Sequence, residues 1–224
     1  MTDFWPVVFL TLKVALTGIT FALPVAVGLA YLLARKKFPG KALVSGIVMM
    51  PLVLPPVVTG LVLLDLFGPK GPLGQAFSAI GLDFGFRWTG AALAAGLVAL
   101  PLMVRPMRLA FEAVDIDWHE AMKMDGTTWR QRFFYLDLPM AGPGIVAGVV
   151  LGFAKALGEF GATITFVANI PGETRTLSLA IFTALQSSDG MREVYILAGA
   201  SITLSLLAAF SSEAIIERLY KRMR

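Results

Sequence analysis

The 224-residue sequence has no cysteine and a single histidine, His119. A disulfide framework, a thiolate metal site and a thiol nucleophile are therefore excluded, and so is a metal site built from several histidines. Charge is also scarce, since 15% of the residues are charged and 57% are hydrophobic, whereas soluble domains carry about 25% charged residues. This balance predicts a protein that is surrounded mainly by lipid.

Five apolar stretches are each long enough to cross about 30 Å of hydrocarbon as a helix. They cover residues 7–34, 42–67, 88–111, 134–158 and 194–216. We predict one all-α membrane domain over residues 1–224, whose first stretch is a retained span because it is too long for a signal peptide and lacks a basic region before it. A sixth stretch, residues 174–186, is too short to span and is predicted to be a re-entrant or interfacial helix at the outer side.

The distribution of basic residues predicts how the chain is oriented. Most of the 19 lysines and arginines fall between spans one and two, between spans three and four, and in the C-terminal tail. The positive-inside rule places these segments in the cytoplasm, so that the N-terminus is outside and the C-terminus is inside. The net charge of +4 is thereby explained by topology, and the expected surroundings are the lipid bilayer of the cell (inner) membrane, not nucleic acid.

Two spans carry residues that are costly inside a membrane. Pro51, Pro55 and Pro56 in span two remove backbone donors and predict a kink or break in the helix. Lys155 and Glu159 in span four are four residues apart, so that one can neutralise the other on the same helix face. Each set has two open interpretations: a structural kink or ion pair, and a part in the pathway or the gate.

Span four also carries a smooth face of small residues. Gly144, Gly148, Gly152 and Ala156 recur at a strict spacing of four residues, which lets another helix approach closely. The partner helix could belong to the same chain or to a second copy.

The segment at about 117–133 is predicted to be a cytoplasmic pair of short helices. Asp117 and Glu120 fit a capping box, and Gly126 supplies the positive φ that ends a helix. Thr127 or Thr128 would then cap a second helix that continues into span four.

One face of the first short helix is apolar and the other is polar. Trp118, Ala121 and Met122 fall on the apolar face, which predicts docking into a cleft of a partner protein. His119 falls on the polar face and is predicted to contact the partner or to be solvated.

The spacing of this segment resembles the EAA loop of ABC importer permeases, whose consensus is E-A-A, three residues, G, nine residues, I, one residue, L-P. The residues that carry the resemblance are Glu120, Ala121, Gly126, Leu138 and Pro139. Met122 replaces the second alanine and Leu136 replaces the isoleucine. The resemblance implies that the segment is a coupling helix held by a cytoplasmic ATPase subunit.

Further blocks are similar to the molybdate branch of the same family. They are residues 38–43, 51–58, 101–105, 157–167 and 170–176. The resemblance covers nearly the whole chain and implies the type I ABC importer permease (MetI-like) fold and the transport of molybdate into the cytoplasm. It also implies a homodimer, a partner dimer of ABC ATPase subunits and an extracellular or periplasmic molybdate-binding protein.

The chain is not expected to hydrolyse ATP. Gly40-Lys41 is its one Gly-Lys pair, and a Walker motif would need glycine where Arg35 stands. No cofactor is expected in this chain, because ATP and Mg would be used by the partner ATPase.

Other functions stay open from the residues alone. Tungstate or sulfate could replace molybdate as the substrate. A secondary transporter or channel is disfavoured because five spans without an obvious internal repeat are not typical of that class. A membrane enzyme is disfavoured because the spans hold no convergent acid, base, nucleophile or metal cluster.

Overall fold

The computed structural model describes residues 4–187 and 190–223, with side chains described as far as residue 211. Within these ranges the chain forms helices and no strand, which confirms the predicted all-α fold. The first six helices are α1 (Phe4–Arg35), α2 (Lys41–Val53), α3 (Pro56–Phe67), α4 (Pro72–Ser78), α5 (Trp88–Glu112) and α6 (Ile116–Met124). The others are α7 (Trp129–Arg132), α8 (Leu138–Met140), α9 (Gly142–Leu157), α10 (Gly161–Val167), α11 (Leu177–Leu185) and α12 (Met191–Met223).

Three of the described helices, α1, α5 and α12, are each long and apolar enough to cross a membrane. Two bent pairs pass the same test, namely α2 with α3 and the 129–140 segment with α9. Counting each pair as one span gives up to five spans in the described residues, as the sequence predicts.

Span two is broken and not merely kinked. The axes of α2 and α3 differ by 112°, and Leu54 and Pro55 between them have extended ψ angles of 145° and 132°. Pro55 and Pro56 lack the backbone N–H groups that would continue α2, and Pro56 instead begins α3, where a helix needs no donor. The prolines of the sequence thus mark the position of a sharp turn.

The expectation of one uninterrupted helix over residues 134–158 was wrong. The chain forms a π-helical turn at Phe133–Asp137, then α8, and then bends by 67° before α9. Pro139 and Pro143 stand on either side of the bend and cannot donate the hydrogen bonds that would keep the helix straight.

The bundle is organised around α5, against which α1 and α9 pack. Alanine and glycine are abundant on its buried faces, so the helix backbones approach closely. At the crossing of α1 and α5 two glycines meet: a Cβ atom on Gly18 would lie 2.5 Å from the Ala92 carbonyl oxygen, and one on Gly96 would lie 2.6 Å from the Gly18 carbonyl oxygen. The glycines are therefore required for this contact.

The smooth face of span four lies against α5 of the same chain. A Cβ atom on Gly148 would lie 2.7 Å from the Met103 carbonyl oxygen, and one on Gly152 would lie 2.5 Å from Cγ of Met103. Gly144 lies directly against Ala110. All three glycines therefore contact α5 of the same chain.

The short apolar stretch near residue 180 forms α11, whose nine residues rise by roughly 14 Å, too little to cross a bilayer. Its buried residues pack beside α1 and α12. The backbone N–H of Leu177 donates to Oγ1 of Thr11 at 2.8 Å. This bond fixes α11 beside the first turns of α1.

Candidate functional site

The predicted coupling segment begins with α6, and its N-cap differs from the prediction. Asp115 has extended φ and ψ angles of −61° and 141°, and its carboxylate accepts a hydrogen bond from the Asp117 N–H at 3.1 Å. The expected capping box of Asp117 and Glu120 was wrong because both residues already lie inside the helix. The Glu120 side chain is consequently not used as a cap and is exposed.

The turn after α6 is built from Gly126 and two threonines. Gly126 has a φ of 75°, the left-handed conformation that glycine adopts without strain. Oγ1 of Thr127 donates to the Met122 carbonyl at 2.6 Å and so closes the end of α6. Thr128 is the N-cap of α7, in a capping box with Gln131.

The coupling segment presents apolar side chains to the outside. Every residue of α6 is at least partly exposed. Trp118 is 60% exposed, Met124 89% and Trp129 56%. Ala121 is exposed beside them, and charged residues such as Glu120 share the surface. Large aromatic residues that remain exposed on a short charged helix are typical of a protein-docking surface.

The other end of the motif joins this surface to the bundle. Leu138 is half-buried and packs against the core, whereas Pro139 is exposed and lies in α8, just before the bend that leads into α9. The Leu138-Pro139 pair therefore marks the passage from the coupling segment into span four.

His119 does not lie in solvent, and its predicted place was wrong. Its side chain is 12% exposed, and its Nε2 lies 2.9 Å from Oδ1 of Asp137, a carboxylate that is fully buried. The same oxygen accepts from Nη2 of Arg35 at 3.2 Å, and that Nη2 also donates to the Val114 carbonyl at 2.9 Å. We refer to Arg35, His119 and Asp137 as the Asp137 cluster.

The second candidate region lies where the break in span two meets the start of α10, just after the end of span four. A Cβ atom on Gly161 would lie 2.6 Å from Cβ of Pro56, and one on Gly60 would lie 2.6 Å from the Ala162 carbonyl oxygen. The start of α10 is therefore packed directly on the start of α3. Pro55 at this junction is exposed, while Pro51 is half-buried within α2, on the other side of the break.

Glu159 holds the break between α9 and α10. Its carboxylate is buried, with Oε2 2.9 Å from the Lys155 Nζ and Oε1 accepting from the Ala162 N–H at 3.0 Å. Lys155 is 31% exposed. The side chain of Glu159 thus acts both as an ion-pair partner and as a cap for the first turn of α10.

We expect the loss of Lys155 to be more harmful than the loss of both charges. Lys155→Met would leave the buried Glu159 carboxylate without its cation, at a cost of about 1–3 kcal/mol in the free energy of unfolding. The double variant Lys155→Met with Glu159→Gln removes both charges and should recover part of the loss. Thermal unfolding of the purified chain tests this, and equal melting temperatures for the single and double variants would contradict it.

Sequence reasoning missed the Asp137 cluster. An acidic residue inside the apolar run 133–138 was the available signal, because an ionisable residue at a span end needs a partner. Its partners could not be read from the spacing, since Arg35 is 102 residues away along the chain.

Comparison with known proteins identifies the family of this chain. Residues 10–224 match the family model of the binding-protein-dependent transport system inner membrane component. The chain belongs to this family.

Close relatives of this permease are known from several bacteria. It is 45% identical over 215 residues to the molybdenum transport system permease protein ModB of Haemophilus influenzae, which covers 96% of this chain and 94% of the relative. ModB of Escherichia coli K12 is 46% identical over 210 residues, covering 93% and 92%. The sulfate transport system permease protein CysT of Salmonella typhimurium is 34% identical, covering 87% of this chain and 70% of the relative.

Solved structures show the same fold at low sequence identity. A bacterial ABC transporter that imports the acidic polysaccharide alginate matches 97% of this permease and 80% of the compared chain, with a TM-score of 0.72 and 19% identity. The inward-facing MetNI methionine ABC transporter matches 96% and 94%, with a TM-score of 0.69 and 18% identity. The predicted type I importer fold is thereby confirmed.

Proposed function

We propose that this permease carries molybdate across the inner membrane into the cytoplasm as the membrane-spanning subunit of an ATP-driven importer. The observation that carries the proposal is the identity of 45–46% over nearly the full length of relatives described as molybdenum permeases. Sulfate is the second candidate, because relatives described as sulfate permeases are 34% identical. Molybdate and sulfate are both tetrahedral dianions, so we assign the choice between them chiefly to a separate extracellular or periplasmic binding protein.

In the proposed assembly two copies of the chain form a homodimer, and two cytoplasmic ABC ATPase subunits use ATP and Mg. The N-terminus lies outside and the C-terminus inside, in line with the positive-inside distribution of charge. The ATPase then meets the exposed surface of α6, formed by Trp118, Glu120, Ala121 and Met124. Burying these apolar side chains in a cleft of the ATPase would stabilise the contact.

The proposed pathway follows the dimer interface beside the broken spans. Proline-broken helices inside a membrane are tolerated where they line a cavity or are covered by protein, and Pro55 and Pro56 are exposed on this chain by itself. Gly60 and Gly161 pack tightly at the contact of α3 and α10, so we expect the two helices to move together. In this proposal the pair Lys155–Glu159 holds the link between α9 and α10 in place and so contributes to the gate.

Uptake by whole cells tests the proposed function. The chain is expressed with its ATPase and binding protein in cells that lack their own molybdate importer, and uptake of molybdate and sulfate is measured. We expect molybdate uptake that disappears when the ATPase is omitted. Uptake that persists without the ATPase would indicate a channel or secondary transporter. Uptake of sulfate alone would mean that sulfate, and not molybdate, is the substrate.

Charge reversal at Glu120 tests the docking surface. The variant Glu120→Lys places a cation where the exposed carboxylate stands, and we expect at least about a fivefold weaker association with the ATPase. The amount of ATPase that co-purifies with the permease is the measurement. Asp83→Lys is the matched control, because Asp83 is an exposed carboxylate outside the coupling segment; equal co-purification for the two variants would contradict docking at α6.

A further inference from the structure

The contacts of Asp137 link three parts of the chain that are far apart in the sequence. Its Oδ1 accepts hydrogen bonds from the last residue of α1, Arg35, and from His119 of α6. Arg35 also holds the Val114 carbonyl in the link between α5 and α6. Asp137 itself ends the π-helical turn that leads into α8 and α9.

The bond from His119 to Asp137 is the principal side-chain connection between α6 and the spans. Of the side-chain hydrogen bonds in the described part of the chain, it is the one that joins α6 to another helical element. A carboxylate only accepts, so Nε2 of His119 is the donor. Buried hydrogen bonds to a charged group are stronger and more directional than exposed ones, so this contact can transmit a displacement of α6.

The aromatic surroundings keep the cluster in place. Tyr31, one turn before Arg35 on α1, packs edge-on against Phe111 and Phe133, with ring centroids 5.5 and 4.8 Å away. These rings come from α1, α5 and the π-helical turn. The cluster is therefore a closely packed junction at the coupling end of the bundle, and not a flexible surface pair.

We propose that Asp137 is a positioning residue that transmits the movement of the coupling helix α6 to α1 and to span four. This inference rests on the proposed function, because it assigns a role within ATP-driven transport. Asp137 touches neither the substrate nor ATP; it acts through His119 and Arg35. Loss of the link should leave ATP hydrolysis running while less oxyanion is carried for each ATP used.

The test uses the complete complex of permease, ATPase and binding protein in proteoliposomes and measures the oxyanion transported per ATP hydrolysed. His119→Phe keeps a ring but removes the donor, and it should lower this ratio by about tenfold. His119→Gln retains an N–H donor and should restore most of the ratio. Glu112→Gln is the control, since Glu112 forms a half-exposed ion pair with Arg108 on α5 and exposed pairs contribute little.

A second set of variants separates coupling from folding. Arg35→Gln leaves a buried carboxylate with its cation removed and should reduce the yield of complex, whereas Arg35→Gln with Asp137→Leu removes both charges and also the acceptor of the His119 hydrogen bond. We expect the double variant to recover yield while its transport per ATP stays low. Recovery of both yield and ratio would show that the cluster only stabilises the fold and would overturn the inference.

The two proposals fail in different ways. The ratio is measured with whichever oxyanion the wild-type complex carries, so an error about the substrate leaves this test intact. A wild-type complex that carries no oxyanion would overturn the proposed function. A wild-type complex that carries one normally, together with a His119→Phe variant that keeps the wild-type ratio, would overturn the role of Asp137 alone.

Discussion

Replacing Gly18 with valine should remove most of the folded permease. A Cβ atom at this position would lie 2.5 Å from the Ala92 carbonyl oxygen and 3.0 Å from the Gly96 nitrogen. Both neighbours are backbone atoms of α5, so they cannot move aside as a side chain would, and the two helices must separate. We expect a loss of about 3 kcal/mol or more in the free energy of unfolding, measured as a lower melting temperature and a smaller monodisperse fraction in detergent.

The same helix supplies the matched control. Gly28 is also on α1 but is exposed, and a Cβ atom there would meet no atom within 4 Å. Gly28→Val should therefore change the melting temperature of the chain little. Equal destabilisation by the two valines would mean that the close crossing of α1 and α5 is not what Gly18 is required for.

Replacing Gly126 with valine should stop transport without removing the protein from the membrane. Gly126 has a φ of 75°, which costs an ordinary residue about 1–2 kcal/mol and a β-branched residue more. The strain would be relieved by changing the turn between α6 and α7, and hence the direction in which α6 is presented. Since 1.4 kcal/mol corresponds to a tenfold change in a population, we expect uptake to fall by about tenfold or more.

Asparagine at position 126 provides the comparison. It tolerates the left-handed conformation better than other residues with a side chain, so Gly126→Asn should keep most of the uptake that Gly126→Val loses. The membrane content of each variant is measured alongside uptake. Equal uptake by the valine variant and the wild type would show that the turn at Gly126 has no part in coupling.

The long spans were predictable from the sequence because their signal is local. The apolar runs 7–34 and 88–111 correspond to Phe4–Arg35 and Trp88–Glu112, and the run alone determines such a helix in lipid. The prolines likewise predicted an interruption near residue 55. The bend of 112° was not predictable, because prolines mark where a helix is interrupted and do not set the angle of the turn.

The structure of the predicted coupling segment could be predicted in part. The turn at Gly126 and the cap at Thr128 depend on residue types within a few positions, and such short-range chemistry is visible in a sequence. The true N-cap, Asp115, lies two residues before the expected one. His119 was misplaced because its environment is set by Asp137, 18 residues later, and by the end of α1.

The structure also decides between two interpretations that the sequence left open. The small-residue face of Gly144, Gly148 and Gly152 could have met another subunit, but it meets α5 of the same chain. A spacing of small residues indicates that some helix comes close and does not specify which. The proposed homodimer must therefore use other surfaces, and the exposed sides of the broken spans are the surfaces we propose.

The ATPase rate of the reconstituted complex is the most direct test of the central claim, that this permease couples an ATPase to molybdate import. The rate is measured with binding protein loaded with molybdate, tungstate or sulfate, and with unloaded binding protein as the baseline. We expect stimulation by molybdate, with or without tungstate, and no stimulation by sulfate. Stimulation by sulfate alone would contradict molybdate as the substrate. An ATPase rate that no loaded binding protein changes would contradict the claim that the permease belongs to an ATP-driven importer.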